Sequence, residues 1–183
     1  MSAAANDLLL TDRAAEVIDS ARRLIVPTDL PGVDCLDVAR EAVRRVAAAK
    51  DFQVVLYDRS AETWMDHPHP SGPHRADELS DEFDTLAAQL RELEAAGIDA
   101  VGWISTVPSL SEIATAVQEL DADAVLLPEP SRDRTLVDRL TGTGDQNEDV
   151  AKSVHINAAP TVVVLEVRDG VVDVVDVDDP DGS

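Results

Sequence analysis

The chain has 183 residues, enough for one domain of ordinary size that buries a core without disulfides and too few for a second full domain. It carries 37 acidic against 15 basic side chains, a net charge of −22 with a sequence pI near 4.2, and Lys50 and Lys152 are its only lysines. That balance disfavours nucleic acid and anionic membranes, which are held by clustered Lys and Arg, and no apolar run approaches the roughly 18 residues of a membrane span.

The N-terminus, Met1 to Asp7, has no basic region and no apolar core of signal-peptide length, so a cytoplasmic address is expected. Asp12 to Ala21 reads as a helix. Arg23 to Pro27 (RLIVP) is a short apolar run that ends in a loop containing Pro31-Gly32, the pattern of a buried strand. A helix over 34–49 places Leu36, Ala39, Val43 and Val46 on one face. The single Cys35, at its start, has no partner for a disulfide or a metal motif and reads as a small buried hydrophobe. Gln53 to Tyr57 (QVVLY) has the β-branched content of a central parallel strand.

From Ser60 to Ala76 the chain is polar and broken by prolines. Here His67, His69 and His74, with Asp66, admit a Zn²⁺-type site, but no rigid element fixes their geometry and surface histidines are the simpler reading. No metal is assigned. A helix over 77–96 carries Leu79, Phe83, Leu86, Leu90 and Leu93 on one stripe and stops at Gly97. Ala100 to Ser105 is a third strand, and Ser109 with Glu112 forms a capping box for a helix to Leu120. Ala124 to Leu127 is a fourth strand.

The stretch from Pro128 to Glu148 is long for an idle connection and is a candidate functional loop. A helix over 149–157 follows, with His155 at the edge of the core. Thr161 to Val167 is the most hydrophobic strand, and after the turn at Arg168-Asp169-Gly170 a further strand, Val171 to Val177, can pair back on it.

Repeated strand–helix units predict an α/β domain: an open, doubly wound, five-stranded parallel sheet of order 3-2-1-4-5 with helices on both faces. Residues 1–21 form an N-terminal extension, 22–167 the domain, and 168–183 a hairpin strand and acidic tail. Ligands in such sheets bind beyond the C-terminal strand ends where strand order reverses, which directs attention to the loops after Pro27, Tyr57, Ser105 and Leu127.

Three segments, LIVPTDLPGVDCLDVAREAV, LEAAGIDAVGW with SLSEIATAVQELDADAVLLPE, and AAPTVVVLEV, resemble in order the universal stress proteins of the adenine-nucleotide α-hydrolase-like group, over roughly residues 22–167. The resemblance implies a stress-response module, commonly a homodimer through the final strand. It also implies an adenine-nucleotide cleft in which Asp29, beside Pro27 and Thr28, faces the base. Independently of the family, Asp29 reads either as a ligand contact or as the cap of a turn or of the next helix.

The family's phosphate loop, Gly-x2-Gly-x9-Gly-Ser/Thr, falls on Glu129, Arg132, Gly142 and Thr143. Glu129 and Arg132 replace glycines on which close phosphate approach depends, so the loop is degenerate and tight ATP binding is not expected. Arg132 either meets a phosphate or pairs with Glu129 or Asp133. About five residues, 144–148, are extra relative to the family. No nucleophile elbow, Walker run or metalloprotease motif is present, and the phosphoacceptor-receiver pattern fails at Ile104-Ser105 and Glu166. The expectation is a non-enzymatic module. The alternative is a nucleotide-binding or slowly hydrolysing protein that uses Asp29, Arg132, Gly142 and Thr143.

An acidic, lysine-poor composition resembles that of proteins from organisms holding molar salt in the cytoplasm, and a halophilic archaeal source is the expectation it carries. The plain alternative is an acidic protein from a genome that favours arginine. Self-repulsion at a net charge of −22 is screened at Debye lengths of roughly 3 Å in 1 M salt. The thermal midpoint is therefore expected to rise steeply between low and molar KCl, and a flat midpoint in the same scans removes the high-salt reading.

Overall fold

The computed structural model describes residues 9–30, 33–46, 51–59, 72–105, 112–128, 146–157 and 161–176, with the side chains of 146–149 and 157 excepted. In chain order the elements are β1 (Leu9–Leu10), α1 (Asp12–Ser20), β2 (Arg23–Pro27), α2 (Cys35–Arg45), β3 (Gln53–Asp58), β4 (Gly72–His74), α3 (Asp84–Ala95), β5 (Asp99–Ile104), α4 (Ile113–Leu120), β6 (Ala124–Leu127), α5 (Gln146–Asn157), β7 (Val163–Arg168) and β8 (Val171–Val174).

They build one eight-stranded sheet of order β1-β8-β7-β6-β2-β3-β5-β4. Its centre, β5-β3-β2-β6-β7, is parallel throughout and is the expected five-stranded order. β2 pairs in parallel with β3 from Arg23 opposite Gln53 to Pro27 opposite Tyr57, and with β6 at Leu24 and Ile25. Because successive side chains of a strand point to opposite faces, the apolar runs divide cleanly. Leu24, Val26, Val54 and Leu56 join one core with α1, α2 and α3, while Ile25, Val55, Tyr57, Trp103 and Val125 join a second with α4 and α5.

The outer strands extend the expected sheet at both ends. β4 adds antiparallel to β5 inside what the sequence reads as an irregular excursion; His74 lies in it, whereas Asp66, His67 and His69 are outside the described residues. β8 returns antiparallel along β7 through a two-residue turn, Asp169-Gly170, in which both residues have positive φ (51° and 79°). This is the turn whose twist matches a hairpin and which Asp-Gly favours. β1 then pairs in parallel with β8.

The final strand, β7, through which a homodimer is expected, is not a free edge of the sheet. β6 flanks it on one side and β8 on the other, so its backbone groups are used within the chain. The segment expected as an N-terminal extension also packs on the main core, with Ala14 and Ile18 of α1 buried there.

The largest differences in helix boundaries from the sequence reading are in α2, α3 and α5. α2 ends at Arg45 because Val46, buried, turns to extended geometry (φ −71°, ψ 133°). α3 begins at Asp84: Ser80 is extended and a short 3-10 turn, Asp81–Phe83, precedes the helix. Leu79 fits the stripe by spacing but lies outside the helix. α5 begins at Gln146, three residues before its expected start, so the inserted segment is partly helical. Ser109 lies outside the described residues; Glu112 accepts a hydrogen bond from Ser105.

Gly102 sets how closely α3 approaches β5. A Cβ there would stand 2.9 Å from Leu86 Cδ2, closer than packed carbon atoms tolerate. Gly102→Ala is expected to cost about 1–3 kcal/mol, measured by urea unfolding at fixed high salt, and a neutral result shows that α3 shifts freely over the sheet.

Candidate functional site

Strand order reverses between β2 and β6: the chain leaves β2 toward β3 and β5, and leaves β6 toward β7. Connections leaving in opposite directions open a crevice at the C-terminal strand ends. Pro27, Thr28 and Asp29 end β2 at this crevice; Pro27 is buried, Thr28 half-buried, and the Asp29 side chain 42% exposed. The Thr28 amide donates to the Tyr57 carbonyl at 3.0 Å and the Ser105 amide to the Asp58 carbonyl at 2.8 Å, so the ends of β2, β3 and β5 form one rim.

Asp29 does not cap α2. That cap is Asp34, which accepts from the Leu36 amide at 2.9 Å. Asp29 instead accepts from Arg59 Nε at 2.7 Å, an ion pair across the ends of β2 and β3. Below it, the fully buried Tyr57 donates its hydroxyl proton to Ser105 Oγ (3.1 Å), and Ser105 donates to Glu112 Oε2 (3.0 Å) at the entry to α4. The described rim thus carries one guanidinium, Arg59, paired with Asp29, and two further carboxylates, Asp58 and Glu112.

The reactive groups near the sheet are held protonated. Burial, more than any neighbour, pushes the Tyr57 phenol up to about 12; the Ser105 hydrogen bond opposes this and the Glu112 charge adds to it. Burial likewise pushes the Cys35 thiol up to about 12, reinforced by Asp34. Its place at a helix start, which ordinarily favours the thiolate, is outweighed. His155 Nε2 donates to the Val162 carbonyl at 2.9 Å, joining α5 to the approach of β7, a structural role at the core edge.

Of the residues named from sequence, Pro27, Thr28 and Asp29 stand together at the crevice. Arg132, Gly142 and Thr143, with Glu129, lie outside the described residues. Sequence reading missed Tyr57, Asp58, Arg59, Ser105 and Glu112, although the rule that picks polar residues just beyond an apolar strand selects Asp58-Arg59 as readily as Thr28-Asp29. Among the described residues no group of three His, Cys, Asp or Glu could hold a metal ion, and no helix is long and apolar enough to cross a membrane.

Tyr57 is the chain's single tyrosine, so tyrosinate absorbance reports it without assignment. The folded protein is expected to ionise near the value of about 12 rather than at the ordinary 10. A raised folded pKa means the stability it confers is complete below pH 10 and is lost as pH rises through 12. Tyr57→Phe removes that part of the alkaline decline in urea-melt stability, and a tyrosinate transition at pH 10 in the folded protein contradicts the buried network.

No family model matches the chain, and no curated protein matches it. Solved structures to which it is similar include the hypothetical protein MJ0577, the subject of a structure-based assignment of biochemical function, at 15% identity and a TM-score of 0.46. They also include a universal stress protein in complex with cAMP, at 20% identity and a TM-score of 0.40; each alignment covers 81% of this chain and 97% of the other.

Proposed function

We propose that the chain is a non-enzymatic binding module of the universal stress type, whose crevice between β2 and β6 admits an adenine nucleoside or nucleotide weakly and does not hold ATP tightly. The observation that carries the reading is Asp29: it stands at the switch point, it is not the cap of α2, and its carboxylate pairs with Arg59. The sequence resemblance places an adenine-facing residue at this position.

Two features weigh against a polyphosphate. Glu129 and Arg132 occupy loop positions where the family has glycines, each adding a side chain where backbone must approach phosphate. The described rim also carries more carboxylates than guanidiniums, and a triphosphate brought among them meets like charge. A non-enzymatic role accords with the chemistry of the described groups: Tyr57 and Cys35 are buried and protonated, and the Ser105 hydroxyl is buried beneath the rim.

The reading includes a homodimer in the cytoplasm of a high-salt organism. With β7 covered, its support lies at the sheet edge formed by β1, where Leu9 is 61% exposed; light scattering of the unaltered protein tests it. The rival reading, an adenine-nucleotide-binding and slowly hydrolysing protein, draws on the same exposed Asp29 together with Arg132, Gly142 and Thr143.

Titration with Mg-ATP, ADP, AMP and adenosine in molar KCl separates the two. The module reading expects ATP affinity weaker than about 1 mM, roughly 4 kcal/mol of binding free energy. Micromolar ATP binding that is lost in Asp29→Ala or Thr143→Val establishes the rival instead.

A further inference from the structure

At the opposite end of the sheet, where the central strands begin, lies a concavity of about 680 Å³. Its walls are Arg22, Arg23, Asp51, Phe52, Gln53 and Asp99, with Gly97 at the end of α3. These residues lead into β2, β3 and β5, so the crevice containing Asp29 is at the other end of the same strands.

The charges in this concavity are unevenly satisfied. Asp99 is engaged at both oxygens, accepting from Arg75 Nη1 at 2.6 Å and from Gln53 Nε2 at 2.8 Å. Asp123 accepts from the backbone amides of Arg22 and Arg23 at 2.8 and 3.0 Å. The guanidinium groups of Arg22 and Arg23 form no ion pair among the described residues, and Arg23 Nε is buried with no hydrogen-bond partner.

In a chain of net charge −22 carboxylate partners are abundant, and most described arginines have one. A buried N–H donor without an acceptor costs about 1–3 kcal/mol. Neither guanidinium is spent on the carbonyls that end α2 or α3: α2 ends over Arg44 and Arg45, and the end of α3 is closed by the amides of Ala96, Gly97 and Ile98. Two unengaged guanidiniums beside a half-buried phenyl ring form a charged wall and an apolar wall of one concavity.

We infer that this concavity is a second binding site, for a small molecule carrying one carboxylate or phosphate group on an apolar body. The oxyanion accepts from the guanidinium groups of Arg22 and Arg23, which no carboxylate engages among the described residues; a planar fork of donors matches both oxyanions. The apolar body lies against Phe52. Two guanidiniums and the carboxylates of Asp51 and Asp99 line the concavity, and Asp99 is already engaged by Arg75 and Gln53; a site this close to charge balance suits a single negative charge rather than a polyanion. The site does not rest on the function proposed for the crevice.

Arginine Nε–Hε resonances read the site directly. The full chain is titrated at constant ionic strength with benzoate and, separately, with inorganic phosphate, up to about 50 mM, within the millimolar range of weak specific contacts. Arg22→Gln and Arg23→Gln assign the two signals. Saturable movement of the Arg22 and Arg23 signals, with the exposed Arg13 unmoved, is the expected result; the anion that saturates identifies the oxyanion class. Arg22→Gln changes an exposed residue and is expected to weaken binding about tenfold, as loss of a charged hydrogen bond does. The inference is overturned if neither anion saturates, if Arg13 moves equally, or if Arg22→Gln binds as well as the unaltered chain. Nucleotide titration of the crevice is scored on the same samples, so failure at one site is distinguishable from failure at the other.

Discussion

Parallel pairing of β2 on both its sides is the constraint from which the remaining architecture follows. Its residues from Leu24 to Pro27 are buried, with neighbours on both edges and helices over both faces, so every polar backbone group must be met by β3 or β6. A strand enclosed in this way reads as a continuous apolar run, and its two faces require separate helical layers. Those layers oblige successive connections to depart in opposite directions, and the crevice at Asp29 is the space left between them.

The aromatic content is 3%, so the two cores are built from aliphatic side chains and depend on close approach more than on large rings. Three aromatic rings are buried among them: Phe83 in one core, and Trp103 and Tyr57 in the other, where they lie beside each other across β5 and β3. Around these cores the surface is dominated by carboxylates, and ion pairs such as Arg40 with Glu92, which joins α2 to α3, and Arg13 with Asp176 are solvent-exposed. Exposed pairs contribute about 0–1 kcal/mol each. Organisation therefore resides in the strands, while charge governs how the molecule responds to its medium.

Strands were the most legible part of the sequence. β2 and β6 coincide with their expected bounds because each is a short apolar run flanked by polar or turn residues. β1 and β4 were illegible for the opposite reason: two and three residues long, they exist because a neighbouring strand offers an edge, information absent from their own letters. The start of α3 misled because Leu79 keeps the helical spacing while the backbone at Ser80 is extended. Asp29 could be placed from its position after a strand. Its partner Arg59 could not, since the pairing depends on the lateral register of β2 and β3, and the Tyr57–Ser105–Glu112 chain depends likewise on β3 meeting β5 at one register.

The pairing of β1 with β8 carries a kinetic consequence. Thr11 donates to Asp173, and Arg13 meets Asp176, across separations of 162 and 163 residues. β8 has to be laid on β7 before β1 has anything to join, and the β7–β8 hairpin itself closes through only Asp169 and Gly170. The shortest loop in the sheet is thus a precondition for its longest, and loop-closure entropy rises with length. The first strand of the fold is then the last to be added during folding.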